Sequence, residues 1–122
     1  MTLPTKQSSQ GQLMLTLGTD QSIIIGDDDM RLTLLGIGKM VTFLLSIDKG
    51  QGPQGHPRIN VGNKDLVTLR TPKEKMVPIG ENIEFFVSHS RSSDSAVVVG
   101  VRAPRDIPVH REKVFKRIQK SA

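Results

Sequence analysis

The chain has 122 residues, with 17 Lys and Arg against 12 Asp and Glu, and it contains no cysteine, tryptophan or tyrosine. This length predicts one ordinary domain or two very small paired ones, and the hydrophobic content of 36% is low for a large core. The absence of cysteine excludes disulfides, thiolate zinc sites and a cysteine nucleophile, and no apolar run approaches the roughly 20 residues that a membrane span needs.

The first half of the chain begins with a polar segment. Residues 1–12, MTLPTKQSSQGQ, predict a disordered tail and lack the apolar stretch of a secretory signal, so we expect a soluble cytoplasmic protein. Short runs of Leu and β-branched residues follow, separated by turn residues at intervals of about eight to ten positions, which is typical of an all-β fold. They predict strands at residues 13–16, 23–25, 32–35 and 41–47.

A run rich in glycine and proline, GQGPQGHP at residues 50–57, marks the clearest break in the chain. Such a run cannot form a helix or a central strand, so it predicts a linker or a long surface loop. The pattern beyond it predicts a helix over residues 111–120, with one narrow apolar stripe. Before that helix, strands are predicted at residues 66–69, 76–79, 83–87 and 96–101, with breaks at Ala103-Pro104 and Ile107-Pro108.

The two halves of the chain resemble each other. In each half a short strand and a polar connection lead to a similar turn, IGD at residues 25–27 and IGE at residues 79–81, and an alternating strand follows. Self-similarity at a separation of about 54 residues indicates a duplication. The alternative is that any two β-meanders with glycine turns look alike.

The net charge of +5 is concentrated at the C-terminal end of the chain. Residues 102–122 hold seven Lys or Arg against two acids, whereas basic and acidic residues balance in the remainder. A neutral body with a compact basic end is the electrostatic footprint of a protein that binds a polyanion.

The order of residues in this basic end is also specific. GVRAPRDIPVHREKVFKRI, residues 100–118, closely resembles the C-terminal half of the CsrA/RsmA family of bacterial RNA-binding regulators. LMLT at residues 13–16, together with the later IGD, fits the first strands of the same family. The resemblance divides the chain into a disordered tail (1–12), a degenerate first CsrA-like copy (13–49), a linker with a degenerate strand near residues 58–61 (50–65), and a second copy with the C-terminal helix (66–122).

The resemblance implies a mainly β fold built from small interlocked sheets. Members of the family are homodimers in which the first strand of one subunit lies beside the fifth strand of the other, and these paired edges bind GGA sequences in RNA loops. Sequence-specific RNA readers generally prefer such unstacked bases. A tandem copy would place both subunits in one chain and form a pseudo-dimer. The implied partners are single-stranded RNA loops, and also a second copy of this chain or a CsrA-type protein.

The strongest residue-by-residue match is Val109-His110-Arg111. In the family this arginine makes the key RNA contact, and its planar guanidinium offers several donors to phosphates and base edges. The family's first strand carries two arginines where this chain has Leu17 and Gly18. The resemblance therefore predicts one asymmetric RNA site centred on Arg111, which either binds more weakly than a family site or has a different sequence preference. The other RNA-binding residues that it implies are Arg102, Ala103, Pro104, Ile107, Leu15, Thr16 and Arg70.

No cofactor, metal site or catalytic constellation is predicted, so the chain is not expected to be an enzyme. The three histidines are scattered, and His110 is best explained as a structural residue at a strand end. The acidic run at residues 27–29 lacks the glycine and distal glutamate of a calcium loop, so a tight polar turn is the better explanation.

A second class of function stays open from the sequence alone. With both first-strand arginines missing, the chain would serve instead as a protein-interaction module that pairs with a CsrA-type regulator and titrates it. The simplest interpretation of Arg111, a solvated residue at a helix start without a ligand, also stays open. Attachment to a membrane surface is disfavoured because the apolar face of the predicted helix has only three residues.

Overall fold

The computed structural model describes residues 10–26, 30–88 and 96–112, and this part of the chain is mainly β, as predicted. No helix within it is long and apolar enough to cross a membrane. Its strands are β1 (Gln10–Gly18), β2 (Ser22–Ile25), β3 (Met30–Gly36), β4 (Val41–Asp48), β5 (Arg58–Val61), β6 (Lys64–Thr71), β7 (Val77–Gly80), β8 (Ile83–Val87), β9 (Ala96–Pro104) and β10 (Val109–Arg111).

Alternation of apolar and polar residues accounts for most of these strands. In β8, Ile83, Phe85 and Val87 are buried, while the two residues between them are partly exposed. Buried and partly exposed residues alternate in the same way along most of β4. Because successive side chains of a strand point to opposite faces of the sheet, this pattern places one face of each strand in the core.

The strands form two antiparallel sheets that exchange strands between the two halves of the chain. The four-stranded sheet has the order β1-β9-β8-β7, and the six-stranded sheet has the order β10-β2-β3-β4-β6-β5. Strand β1, from the first half, therefore pairs with β9, the fourth strand of the second half, and not with a fifth strand as the resemblance implied. Conversely, β10 and β6 from the second half flank the first-half strands β2, β3 and β4. Each sheet is thus assembled from both halves.

The core combines residues from both sheets. Phe43 of β4 and Phe85 of β8 are fully buried, and their rings meet edge to face with centroids 5.0 Å apart and an interplanar angle of 73°. This is a favourable arrangement for two aromatic rings. The two residues belong to different sheets and to different halves of the chain, so the exchange of strands produces one shared core.

The turn after the first strand of each half has the same unusual backbone. Asp20, after β1, has φ 70°, and Glu74, after β6, has φ 63°. The amide of Asp20 donates to the carbonyl oxygen of Leu34 at 2.8 Å, and the amide of Glu74 donates to that of Val87 at 2.7 Å. Residues other than glycine rarely adopt positive φ angles. The two halves therefore share local geometry as well as strand order.

Several strands are longer than the sequence-based prediction, and the pair β1 and β9 shows the reason. Residues 10–12, predicted as the end of a disordered tail, belong to β1 because their backbones pair with residues 102–104 of β9. For the same reason β9 continues to Pro104 and does not break at Ala103. In both cases a partner that is distant in sequence extends a strand beyond its apolar run.

The linker and the C-terminal end also differ from the sequence-based prediction. Residues 58–61 form β5, which makes a hairpin with β6 through a tight turn at Gly62, where φ is 65°. Glycine suits this first turn position because it tolerates a positive φ. Arg111, predicted to start the helix, instead ends β10, because its backbone pairs with Ile23 of β2. The rest of the predicted helix, from residue 113 onward, lies outside the described residues, as do residues 1–9, 27–29 and 89–95.

The shared core leads to a prediction about unfolding. Phe43→Ala should destabilise the protein by about 3–5 kcal/mol, because it removes a ring that packs between the two sheets. Urea unfolding followed by far-ultraviolet circular dichroism should remain a single transition, shifted to lower urea. Phe86→Ala, on the opposite face of β8, is the control and should cost much less. Two separate transitions would contradict the shared core.

Candidate nucleic-acid interface

An open groove with a volume of about 470 Å³ lies between the edge of the four-stranded sheet and the strand β10. Strand β1 comes from the first half of the chain, and the opposite wall comes from the second half. The groove is lined by Gly11, Gln12 and Leu13 of β1, by Val101, Ala103 and Pro104 of β9, and by Arg105, Ile107, Pro108 and Val109 after it.

A tight turn between β9 and β10 shapes one wall of this groove. The amide of Ile107 donates to the carbonyl oxygen of Pro104 at 3.0 Å, which closes a β-turn over residues 104–107. Arg105 is exposed on this turn, whereas Ile107 and Val109 are partly buried and pack against the core. The wall therefore combines apolar surface with a cation at its rim.

Four of the residues implied by the family resemblance meet in this groove, namely Ala103, Pro104, Ile107 and Val109. Arg102 lies on the opposite face of β9, where its Nε donates to Oε1 of Gln12 at 2.8 Å. Because Gln12 also lines the groove, this hydrogen bond connects Arg102 to the groove rim.

The VHR segment forms the short strand β10 beside β2. The amide of Gly26 donates to the carbonyl oxygen of Pro108 at 2.8 Å and begins the pairing. His110 is partly buried opposite Ile24, and Arg111 is exposed at the end of the strand. The next residue, Glu112, forms an ion pair with Arg31 of β3, which ties the chain to the sheet directly after Arg111. Arg111 is thus presented to solvent from an anchored backbone.

Leu15 and Thr16 lie further along β1, beyond the residues that line the groove. Leu15 is partly buried against the core, and Thr16 is exposed opposite Val98 of β9. Leu17, one of the two positions at which the resemblance implied an arginine in the family, is fully buried. A cation in this position would be costly without a partner, so the missing charge is consistent with the packing.

Arg70 is exposed on β6, in a different part of the molecule. Strands β2, β3 and β4 separate β6 from β10 in the six-stranded sheet. At a strand spacing of about 4.8 Å, the two strands are roughly 19 Å apart. Arg70 therefore does not join the groove that contains Val109.

The six-stranded sheet has a position that corresponds to this groove, and side chains occupy it. In the four-stranded sheet Gly11 of β1 pairs with Ala103 of β9, and in the six-stranded sheet the corresponding pair is Asp65 of β6 with Ile47 of β4. Asp65 is buried, with only 4% of its surface exposed. Its carboxylate accepts hydrogen bonds from Arg58 at 2.8 Å, from the side chain of Asn60 at 3.1 Å and from the amide of Gly50 at 3.1 Å.

Arg58 extends this network to the glycine-rich linker. Its guanidinium also donates to the carbonyl oxygens of Gln51 at 2.7 Å and Pro53 at 2.8 Å. The hydrogen bonds from Arg58, then those from Gly50 and Asn60, lower the pKa of Asp65 from its usual value near 3.8 to about 2, although burial acts in the opposite direction. The groove beside β10 has Gly11 and open space. The corresponding position in the six-stranded sheet has the Arg58–Asp65 ion pair, which binds β5 and the linker.

A proline explains why β5 does not occupy the edge of the four-stranded sheet. Hydrogen-bonded pairs alternate along an antiparallel ladder, so after the bond from Gly26 to Pro108 the next bonded pair is Ile24 with His110. In β7, Ile79-Gly80 corresponds to Ile25-Gly26 of the first half, so Pro78 corresponds to Ile24. Pro78 has no N–H to donate. Strand β7 therefore cannot pair with a fifth strand as β2 does.

The sequence did not point to several residues of the groove. Gly11 and Gln12 lie in the polar segment that the sequence predicts to be disordered, and Leu13 is predicted only as the start of a strand. Arg105 and Pro108 stand inside the family-like segment but carried no separate signal. In the residues that the structure describes, no three His, Asp or Glu side chains are grouped so that they could hold a metal ion.

Comparison with known protein families gives a match for the second half of the chain. Residues 66–120 match the sequence model of the CsrA family, described as a global regulator protein family. This part of the chain is therefore a CsrA-like domain, and the match supports RNA-binding regulation as its general role. That family comprises regulatory RNA-binding proteins and is not known for enzymes. No solved structure matches the chain.

The hydrogen-bonded carboxylate of Asp65 leads to a prediction about pH. The folded-state pKa of Asp65 lies below its unfolded value, so its contribution to stability is present above about pH 4 and is lost as the pH falls toward 2. Asp65→Asn should lower stability at pH 7 and flatten the acid loss between pH 4 and 2, as measured by urea unfolding at several pH values. Asp48→Asn, which removes the partner of a surface Lys64 ion pair, is the control and should change little. An unchanged acid profile in Asp65→Asn would contradict the role of this carboxylate.

Proposed function

We propose that this protein is an RNA-binding post-transcriptional regulator that recognises GGA-type motifs in single-stranded loops of messenger or small RNA, and thereby alters translation or message stability. The observation that carries the proposal is the groove in which Ala103, Pro104, Ile107 and Val109, from the CsrA-like segment, face β1 from the other half of the chain. The CsrA family match over residues 66–120 supports the same function.

The chemistry of the groove suits unstacked bases. Leu13, Ile107 and Val109 offer apolar surface against which a base can pack. Arg105 and Arg111 are exposed at its rim and beyond it, where they can neutralise phosphates. These residues together suit a short, looped segment of RNA.

We also propose that the chain is a tandem, diverged double copy of a CsrA-like unit. Three observations support this: the similar strand order around β2–β4 and β7–β9, the recurring left-handed residues Asp20 and Glu74, and their equivalent amide hydrogen bonds. A tandem copy needs no second chain to place a first strand across the groove from Val109 of β10. The protein would then act as an intramolecular pseudo-dimer.

A tandem copy of this kind would retain one RNA site. The groove beside β10 is open, whereas its counterpart is filled by Asp65, Arg58 and the linker. Arg70 lies on the side of the closed groove, so we expect it to contribute little to RNA binding. We therefore propose a single asymmetric site that includes Arg111 and the groove residues.

The alternative, a module that titrates a CsrA-type regulator, finds less support. Strand exchange with a second protein would require β1, β6 or β10 to leave the strand with which it pairs within the chain. Strands β1, β6 and β10 are all paired within the chain, and Pro78 removes a backbone donor from the exposed edge of β7. A pull-down that recovers a stoichiometric CsrA-type partner would nevertheless favour the alternative.

Substitution of Arg111 tests the proposed site. Arg111→Ala should weaken binding to a hairpin with a GGA loop by on the order of 1–3 kcal/mol and reduce the salt dependence of log K by about one unit of slope, because one cation is removed. Arg70→Ala is the matched control and should leave both values nearly unchanged. Binding can be measured by fluorescence anisotropy of labelled RNA at several salt concentrations.

Two outcomes would contradict the proposal. If the parent protein does not distinguish a GGA loop from a CCA loop, its attraction to RNA is non-specific charge attraction alone. If Arg70→Ala weakens binding as much as Arg111→Ala does, the second groove contributes and the single-site proposal is wrong.

A further inference from the structure

The outer face of the four-stranded sheet carries the one partly exposed phenylalanine of the described residues. Phe85 of β8 is fully buried in the core, so Phe86, the next residue, points to the opposite face. It is directly opposite Gly100 of β9, which in turn is opposite Met14 of β1. Phe86, Gly100 and Met14 therefore form one row across three strands, here named the Phe86 row.

The glycine in the middle of this row lets the aromatic ring lie against the sheet. A Cβ atom on Gly100 would come within 2.4 Å of Cε1 and Cζ of Phe86, and within 2.9 Å of Sδ of Met14. The ring and the thioether thus reach toward each other across the bare backbone of β9. Met14 keeps 44% of its surface exposed, so this apolar row is accessible from solvent.

The neighbouring row connects this surface to the groove. It contains Gln12, Arg102 and Glu84, in that order across β1, β9 and β8. Arg102 is exposed and bonded to Gln12, which lines the groove. From the spacing of strands and the rise per residue, Met14 lies about 7 Å from Gln12 at the groove rim, and Phe86, two strands across, lies about 12 Å from it.

We propose that the Phe86 row is a stacking platform for a nucleobase of the RNA strand that leaves the groove. This proposal rests on the proposed function and extends its site to a second face of β1. Aromatic side chains on an open sheet face are a common platform for unstacked bases in single-stranded RNA. Arg102 supplies a cation beside the ring for the adjoining phosphate. Gln12 lines the groove and is bonded to Arg102, so the RNA can run from the groove past these two residues to the ring.

Stacking of this kind does not depend on base identity, because every base has an aromatic face. The platform should therefore raise affinity for RNA that extends beyond the GGA loop without changing the preference for GGA. An extended RNA should bind roughly five- to a hundredfold more tightly than a trimmed one, in line with the usual contribution of one stacked base.

The absence of tryptophan makes the test direct. Phe86→Trp creates a single tryptophan whose emission reports on stacking, and a GGA hairpin with a single-stranded extension should quench it. The same hairpin with an abasic extension keeps the phosphates and should leave the emission unchanged. Phe86→Leu should reduce affinity for the extended RNA to that for the abasic one, while binding of the trimmed hairpin stays the same.

Ile59→Trp is the matched control variant. Ile59 lies on the edge strand β5, 66% exposed, so it also yields a single accessible tryptophan, but far from the groove. Its emission should not respond to any of the RNAs. Circular dichroism and urea unfolding of each variant establish that the fold is retained, and Gly100→Ala, whose added methyl group must displace the ring, is a second variant that should act like Phe86→Leu.

The outcomes separate the two proposals. If the parent protein and Arg111→Ala bind the trimmed hairpin equally, the proposed function fails and this inference fails with it. If the hairpin binds specifically but Phe86→Leu has no effect on the extended RNA and Phe86→Trp is not quenched, only the stacking platform is wrong. A tryptophan emission that shifts with protein concentration and not with RNA would indicate a protein contact at this face, and it would also overturn the inference.

Discussion

The exchange of strands between the two halves is the constraint on which the rest of the structure depends. Strand β1 completes a sheet made by the second half, and β6 completes a sheet made by the first. Because each half contributes to both sheets, a small chain with few aromatic residues forms one core around Phe43 and Phe85. The same exchange brings β1 next to the turn before β10 and so creates the groove.

The two sides of the molecule diverge at a few positions that have large physical consequences. Gly11 leaves the first groove open, whereas Asp65, at the matching position, collects donors from β5 and the linker. Ile24 supports the pairing with β10, whereas Pro78 cannot make the equivalent bond. A strand that has no edge to join in one sheet extends the other sheet instead. The closed side thus gains a hydrogen-bonded network, and the open side keeps a surface for a ligand.

The sequence predicted the parts of this structure that depend on local pattern. The alternation in residues 83–87 predicted β8, and the family-like segment predicted four residues that meet in the groove. It did not predict that Gln12 would belong to a strand and line the groove, because a polar residue there joins a strand only through its partner Arg102, far along the chain. It also gave no reason to single out Phe86, whose position over Gly100 follows from the register between two strands.

Leu17 is fully buried, so position 17 supplies no cation for RNA binding. The resemblance implied an arginine in the family at this position, where it would contribute a phosphate contact, but here the side chain of Leu17 is part of the core. On the proposed function, the site has fewer cations and must obtain more of its affinity from contacts that salt does not screen. Apolar groove walls at Leu13 and Ile107, and a ring at Phe86 on which a base can stack, are contacts of that kind. On that proposal, the buried Leu17 and the partly exposed ring of Phe86 would shift the source of affinity from phosphate contacts to apolar and stacking contacts.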